Sequence, residues 1–246
     1  MPASLAWKQH KKLVGSKSIL RILVLGRGKT GKLVAEVAQE RGHSVHALDA
    51  DENHNARSLT PATLAQVAAV IDFTTPEAVL PNLRACLSSG AKIVVGTTGW
   101  YSHLAEMRAL AERKNGALLY GTNFSFGVQL LYRMASVLGQ EARGFRFHID
   151  ETHHVSKKDA PSGTALSLQS VLAATPFGAG AEITSHREGE AVGLHRLELA
   201  GAEERIVVEH EATSRRAFAV GAVRGAEWLS TRAGCHDFHD VFTQIL

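Results

Sequence analysis

Between positions 151 and 165 the chain reads Glu-Thr-His-His-Val-Ser-Lys-Lys-Asp-Ala-Pro-Ser-Gly-Thr-Ala, a dense packing of groups able to move protons and hold anions. Imidazoles exchange protons near neutrality, so His153 and His154 are candidates for acid/base work. On a strand reaching this far the two would face opposite sides, and at most one need point straight into a cleft. Lys157 is a mobile ammonium that could grip a carboxylate or deliver a proton. Pro161 suits the first position of a helix and Asp159 could help cap it. The amides of Ser162, Gly163 and Thr164 would then form an anion site with a carboxylate as its natural occupant. A lone histidine is usually structural, but two beside a cationic turn and a helix start favour a functional reading.

A second constellation lies earlier. Gly26-Arg27-Gly28-Lys29-Thr30-Gly31 is a G-x-G-x-x-G between a branched apolar run and a segment with helical spacing. That context distinguishes a dinucleotide site from a chance match. Gly26 permits the tight turn, Gly28 lets backbone approach a pyrophosphate, and Gly31 allows close helix-to-strand packing. Asp49 follows 23 positions after Gly26, near the spacing of the acid that accepts from an adenosine ribose, which favours NAD. Ala50 stands where an arginine would welcome a 2′-phosphate, while Arg27 and Lys29 offer cationic contacts, so NADH and NADPH both remain cofactor candidates. Gly96-Thr97-Thr98-Gly99 and Gly121-Thr122-Asn123-Phe124 follow two further strand-like runs, where hydroxyls and exposed amides suit a nicotinamide and its carboxamide.

The elements that must position these groups follow from hydrophobic periodicity. Strands are expected over 19–25, 45–48, 69–73, 92–95 and 117–120. Helices are expected over 32–41, from near Pro61, over 76–86 and over 103–113. Strands alternating with helix-length segments imply an α/β fold, a Rossmann-like doubly wound parallel sheet. Beyond Asn123 the rhythm changes. A helix over 127–138 leads to an alternating strand over 145–151, then a helix over 162–172, strand-like runs over 182–186 and 206–211, and a helix over 217–229. These suggest a second α+β domain with a mixed sheet and one wetter face.

Composition bounds the function. The 246 residues suffice for two modest domains with real cores, and 45% hydrophobic with 21% charged residues is ordinary for a folded globular chain. The net charge of +3 is small, and no basic stripe interleaved with aromatics marks a nucleic-acid binder. No apolar run approaches the roughly 18 residues needed to span a bilayer, and no signal-peptide pattern opens the chain. Cys86 and Cys235 have no metal-ligand spacing and read as reduced thiols of a cytoplasmic protein. Residues 1–18 are excluded from the fold argument, with a disordered leader, a vector remnant and an early start codon as the open readings.

With these motifs in hand, the chain resembles the dihydrodipicolinate reductase family, also called 4-hydroxy-tetrahydrodipicolinate reductases, through its H-H-x-x-K-x-D-A-P-S-G-T-A run. The resemblance spans nearly all of residues 19–246. It continues through Ile71-Asp-Phe-Thr74, Asn123-Phe-Ser125, Arg187, Gly189, Gly193, His195, Thr213-Ser-Arg215 and Gly221-Ala-Val223. It implies a dinucleotide-binding domain over 19–125 and 215–246, and a substrate-binding and oligomerisation domain over 126–214 that builds a homotetramer. The implied reaction is hydride transfer from NAD(P)H to a cyclic dicarboxylate on the diaminopimelate route to lysine, with no metal, cofactor and substrate meeting in a crevice between the domains. Carried onto this sequence, His153 is the acid/base residue and Lys157 the proton donor. His154, Ser162, Gly163 and Thr164 bind substrate. The glycine loop, Asp49, Gly96 to Thr98 and Gly121 to Phe124 hold the cofactor. Segments 51–60 and 176–182 are shorter than in many members, and Lys158 beside Lys157 is a further difference. Two other readings compete: another Rossmann dehydrogenase of a small dicarboxylate, opposed by the His/Lys/Ser-Gly-Thr run, and a non-catalytic NAD(P)H sensor, opposed by the retention of His153 and Lys157.

Overall fold

The computed structural model describes residues 18–246, so the proposed leader, Ser18 apart, lies outside the described residues. The described chain divides into two compact units, one comprising the residues up to Phe124 together with Phe218–Leu246, the other Ser125–Ala217.

The first unit is a six-stranded, all-parallel sheet. Its strands are β1 (Arg21–Leu25), β2 (Ser44–Leu48), β3 (Ala69–Asp72), β4 (Lys92–Val95), β5 (Ala117–Tyr120) and β10 (Gly234–Asp237), in the spatial order β10-β5-β4-β3-β1-β2. The connecting helices are α1 (Lys29–Glu40), the single turn α2 (Pro61–Leu64), α3 (Pro76–Ser88) and α4 (Leu104–Lys114). From the carboxyl side of the chain α7 (Arg216–Leu229) and α8 (Phe238–Ile245) join them. Strands β1 and β3 to β5 are apolar along their middles because both faces are covered, with Arg21, Asp72 and Lys92 only at their ends. Leu23, Val70, Ile93 and Leu118 pack with Leu83, Leu87 and Met107 of α3 and α4. On the other face α7 approaches so closely that a Cβ on Gly225 would meet the side chains of Leu119 and Val94. The sheet is thus doubly wound, and its order reverses between β1 and β3, which places a crevice at their carboxyl ends.

In the second unit β6 (Arg146–His153), β7 (Glu182–Arg187), β8 (Leu194–Ala200) and β9 (Arg205–Glu211) form a mixed sheet of order β7-β6-β8-β9. Strand β7 runs parallel to β6, and the other pairings are antiparallel. Helices α5 (Phe126–Glu141) and α6 (Gly163–Ala173) bring Leu131, Tyr132, Leu168 and Leu172 onto Phe147, Ile149, Leu197 and Leu199 of one sheet face. Serine caps begin both helices: Ser125 accepts from the Val128 amide and Ser162 from the Ala165 amide.

Four elements differ from the sequence reading, and one of them, α8, lies beyond the last expected helix, its buried Phe238, Val241, Phe242 and Ile245 falling on one face. Strand β8 alternates apolar and charged residues, and its Arg196 and Glu198 lie on the wetter face, so the run lacks the density of a buried strand. Strand β10, Gly-Cys-His-Asp, has no β-branched residue and owes its strand to pairing with β5. Helix α6 starts at Gly163 with Ser162 as its cap, so Pro161 precedes the helix instead of occupying its first position, and Asp159 does not cap it.

Candidate active site

In the first unit the chemistry gathers on the loops after β1, β3 and β4. Gly26 adopts φ +96°, and a Cβ there would stand 2.3 Å from the Phe73 carbonyl oxygen, so the loops after β1 and β3 touch only because this residue has no side chain. A Cβ on Gly31 would stand 1.9 Å from the Gly26 carbonyl oxygen, which fixes how tightly α1 begins against the strand. Around the Cβ position of Gly28, by contrast, there is open space for 4 Å, and Gly28 caps α1 without a side-chain hydrogen bond. Two cavities meet there. One, of about 560 Å³, is lined by Gly26, Arg27, Gly28, Asp49, Phe73 and Thr75 among others, and the second, of about 360 Å³, by Gly28, Lys29, Thr30, Gly96, Thr97 and Thr98. A dinucleotide fits this cradle: a larger, mainly apolar chamber beside Asp49, a helix start with glycine open to it, and a smaller chamber beyond of mixed polar and apolar lining.

Asp49 accepts hydrogen bonds from the amides of Asp51 and Glu52, at 3.1 and 3.0 Å, and from Arg27 Nη1 at 2.9 Å. The backbone hydrogen bond from Glu52 and the Arg27 guanidinium hold its carboxyl below the usual range. Arg27 also pairs with Glu52 at 3.0 Å, so in this structure it is spent on carboxylates. The sequence reading missed Asp72. Fully buried at the end of β3, it accepts from the Thr74 amide at 3.0 Å, Thr97 Oγ1 at 2.8 Å and Asn82 Nδ2 at 2.8 Å. Burial pushes its carboxyl up while these hydrogen bonds oppose the shift, and the network locks the loops after β3 and β4 together. The Gly121 to Phe124 loop takes no part in lining either cavity. Phe124 is core, 4.6 Å from the Phe238 ring, and Gly121 sits against the Phe238 Cβ.

In the second unit the buried face of β6 runs Phe147, Ile149, Glu151, His153, passing from core to chemistry within one strand. Register completes the cluster, because Ser185 of β7 and His195 of β8 stand opposite Glu151, and Arg187 opposite His153. Glu151 Oε1 accepts from the Ser162 amide at 2.9 Å, Ser185 Oγ at 2.8 Å and Arg187 Nη2 at 3.4 Å. Its Oε2 lies 3.3 Å from His153 Nδ1 and 3.9 Å from His195 Nε2. Burial alone would raise the Glu151 carboxyl, but its partners, led by His153 and Ser162, hold it far below the ordinary carboxylate range. Burial lowers His195 to about 3, which leaves that imidazole neutral. Glu151, His153 and His195 each offer an atom within 4.8 Å of the others, a donor set that a cation could also use.

After His153 the chain turns outward. His154 Nδ1 lies 2.8 Å from Ser156 Oγ, and Lys157 Nζ donates to both Asp159 oxygens at 2.7 and 2.9 Å. Lys157 is half-buried and Lys158 exposed, so the former is the lysine turned toward this loop. Arg187 Nη2 donates to the Asp159 carbonyl at 2.5 Å, tying the loop to the sheet. The structure therefore gathers His153, Lys157 and Ser162 around one carboxylate and its neighbouring loop. It corrects the expected anion site in one respect, because the Ser162 amide is already committed to Glu151. Sequence reasoning quoted Glu151 and His195 without giving them a role. The signal was their phase, since Glu151 shares the buried parity of Phe147 and Ile149.

The family model described as dihydrodipicolinate reductase, N-terminus, matches residues 20–124, and the one for the C-terminus matches residues 127–242. The chain belongs to the dihydrodipicolinate reductase family. Among curated relatives, the 4-hydroxy-tetrahydrodipicolinate reductase of Christiangramia forsetii is 32% identical over 92% of this chain and 99% of its own length. That of Natronomonas pharaonis is 36% identical over 90% of this chain and 99% of its own length. Among solved structures, a dipicolinate-bound dihydrodipicolinate reductase from a Paenisporosarcina species shares the fold with a TM-score of 0.72 at 21% identity, covering 91% of this chain and all of that one.

Proposed function

We propose that the chain reduces 4-hydroxy-tetrahydrodipicolinate to tetrahydrodipicolinate with NADH or NADPH in the diaminopimelate route to lysine, using His153 as acid/base residue and Lys157 as proton donor. The observation that carries this reading is the folding of the H-H-x-x-K…S-G-T run around Glu151, within a chain of the reductase family. The nicotinamide, when bound, supplies a hydride to the ring. The protein's own residues do the rest.

Gly26 to Gly31 and the start of α1 receive the pyrophosphate, Asp49 the adenosine ribose, and the Gly96 to Thr98 loop the nicotinamide end. An ionised Asp49 accepts from ribose hydroxyls and repels a 2′-phosphate, which favours NADH. On the substrate side, Gly163 and Thr164 at the α6 start face one carboxylate with amide dipoles. Lys157 and His154 take the other, with the substrate competing against Asp159 for Nζ. As hydride adds to carbon, the ring nitrogen side gains electron pair density, and a proton from Lys157 balances it. His153 handles the proton that accompanies loss of the hydroxyl as water. No helix among the described residues is long and apolar enough to cross a membrane. A homotetramer working in the cytoplasm, built through the sheet face that α5 and α6 leave uncovered, fits the wet alternation of β7 and β9 and the exposed Val207, which stands opposite Glu198 on that face.

The test is loss of reduced-nicotinamide absorbance when purified protein meets freshly prepared 4-hydroxy-tetrahydrodipicolinate. Turnover with NADH is expected. Folded, cofactor-binding protein that leaves the absorbance unchanged would remove the reductase reading.

A further inference from the structure

Glu151 is fully buried, and the mechanism above gives it no task. A carboxylate taken out of water is costly unless each oxygen is satisfied. Oε1 is satisfied three times over, by the Ser162 amide, Ser185 Oγ and Arg187. Oε2 has no hydrogen-bond partner among the described residues, and neither has His153 Nδ1, yet the two face each other across 3.3 Å. Such contacts tighten when a catalytic site is occupied. An ionised carboxylate only accepts, so the atom facing it must carry a proton. That leaves Nε2 as the working nitrogen of His153. Its side is kept clear by Gly193, where a Cβ would stand 3.0 Å from Nε2.

We infer that Glu151 is the positioning residue of the substrate site, fixing the Nδ1–H form of His153 through Oε2 and seating the first turn of α6 through Oε1. The inference rests on the acid/base role given to His153 above. One carboxylate would then set the relative placement of the proton-handling imidazole and the amides that receive a substrate carboxylate. His195 serves it as a neutral wall: its ring meets the His153 ring edge-on, centroids 5.1 Å apart at 71°, and its Nε2 lies 3.4 Å from Ser162 Oγ. A cation shared by Glu151, His153 and His195 is the rival use of the same atoms. It is disfavoured by the Arg187 guanidinium, which already balances the carboxylate at 3.4 Å.

The test compares full-length wild type with Glu151→Gln, which keeps an oxygen for Ser162 but presents an amide N–H toward His153. Nitrogen-15 spectra of histidine-labelled protein, with the His153 signals assigned by their loss in His153→Ala, should show Nδ1–H in wild type and Nε2–H in the variant. Turnover should fall on the order of 10²- to 10⁴-fold, the range of a misdirected imidazole, with NADH affinity unchanged. Glu151→Asp, which retains the carboxylate on a shorter stem, should keep the Nδ1–H form and recover part of kcat, while KM for substrate rises because the Ser162 amide is no longer reached. An Nε2–H signal in wild type would overturn the inference. So would a stoichiometric divalent metal in the purified protein whose removal alters the His153 signals. Because the tautomer is read without turnover, these results stand apart from the acid/base assignment. If the tautomer flips and the rate holds, that assignment fails while the positioning role survives.

Discussion

Gly28→Ala separates cofactor binding from folding in the first unit. Its backbone, φ −69° and ψ −173°, is open to any L residue, and nothing lies within 4 Å of where the new methyl would stand. The fold should hardly register the change. If the pyrophosphate rests on this backbone, the methyl occupies its place, and the phosphates must back away from the first amides of α1. Losing one charge-assisted hydrogen bond, about 1.5 to 3 kcal/mol, predicts NADH binding weakened roughly 10- to 100-fold. Gly31→Ala is the converse. Its Cβ would stand 1.9 Å from the Gly26 carbonyl oxygen, so α1 must move by about 1 Å, with an overpacking cost of about 1 to 3 kcal/mol. NADH titration by fluorescence, paired with thermal melts, reads both quantities. Gly28→Ala that binds NADH like wild type, at unchanged melting temperature, would refute the placement of the phosphates.

Lys157→Ala should nearly abolish turnover and His153→Ala should lower it by about 10²-fold or more, both with NADH affinity retained; an unaffected rate for either removes that residue from the mechanism. Wild type should show a lower KM for NADH than for NADPH, and Asp49→Ser should narrow or reverse the ratio by removing the carboxylate that repels a 2′-phosphate and by leaving Arg27 with Glu52 as its remaining carboxylate partner. Equal ratios in both proteins would contradict the role of Asp49. Glu227 offers a pH test of stability. Burial pushes its carboxyl up, but hydrogen bonds from His43 at 2.8 Å and Arg41 at 2.7 Å outweigh it and hold it at about 2. A carboxyl depressed on folding stabilises above its unfolded value, and that stability is lost as pH falls from about 4.5 toward 2. Glu227→Gln should therefore cost on the order of 2 to 3 kcal/mol at pH 7, and urea melts of variant and wild type should converge across that acid window.

What was legible in the sequence was local. A buried strand, a glycine turn and a helix announce one another in consecutive residues, and β4 and β5 fall over the expected spans because their apolar runs are unbroken. The start of α6 was legible to within two positions, since the reading put Pro161 first in the helix and Asp159 near its cap where Gly163 and Ser162 stand. What was not legible depends on pairing across the sheet. Nothing near Glu151 in sequence says that Ser185 and His195 will flank it, since register is set by the whole strand and its neighbours. Nor does the sequence reveal that Glu151 takes the Ser162 amide, or that Asp72 holds Thr74 and Thr97 together. Phe124 carries a packing role that its motif does not announce. It stands in a loop motif that reads as cofactor contact, yet its ring is spent on core packing with Phe238 and Phe73.

The central claim is that a hydride passes from the reduced nicotinamide to the ring of a cyclic dicarboxylate on this protein. Running the reaction with NADH carrying deuterium at both hydrogens of the transferring carbon, and weighing the product by mass spectrometry, tests it directly. One deuterium retained in tetrahydrodipicolinate is the predicted result. Product formed without the label, or labelled cofactor consumed without product, would contradict it.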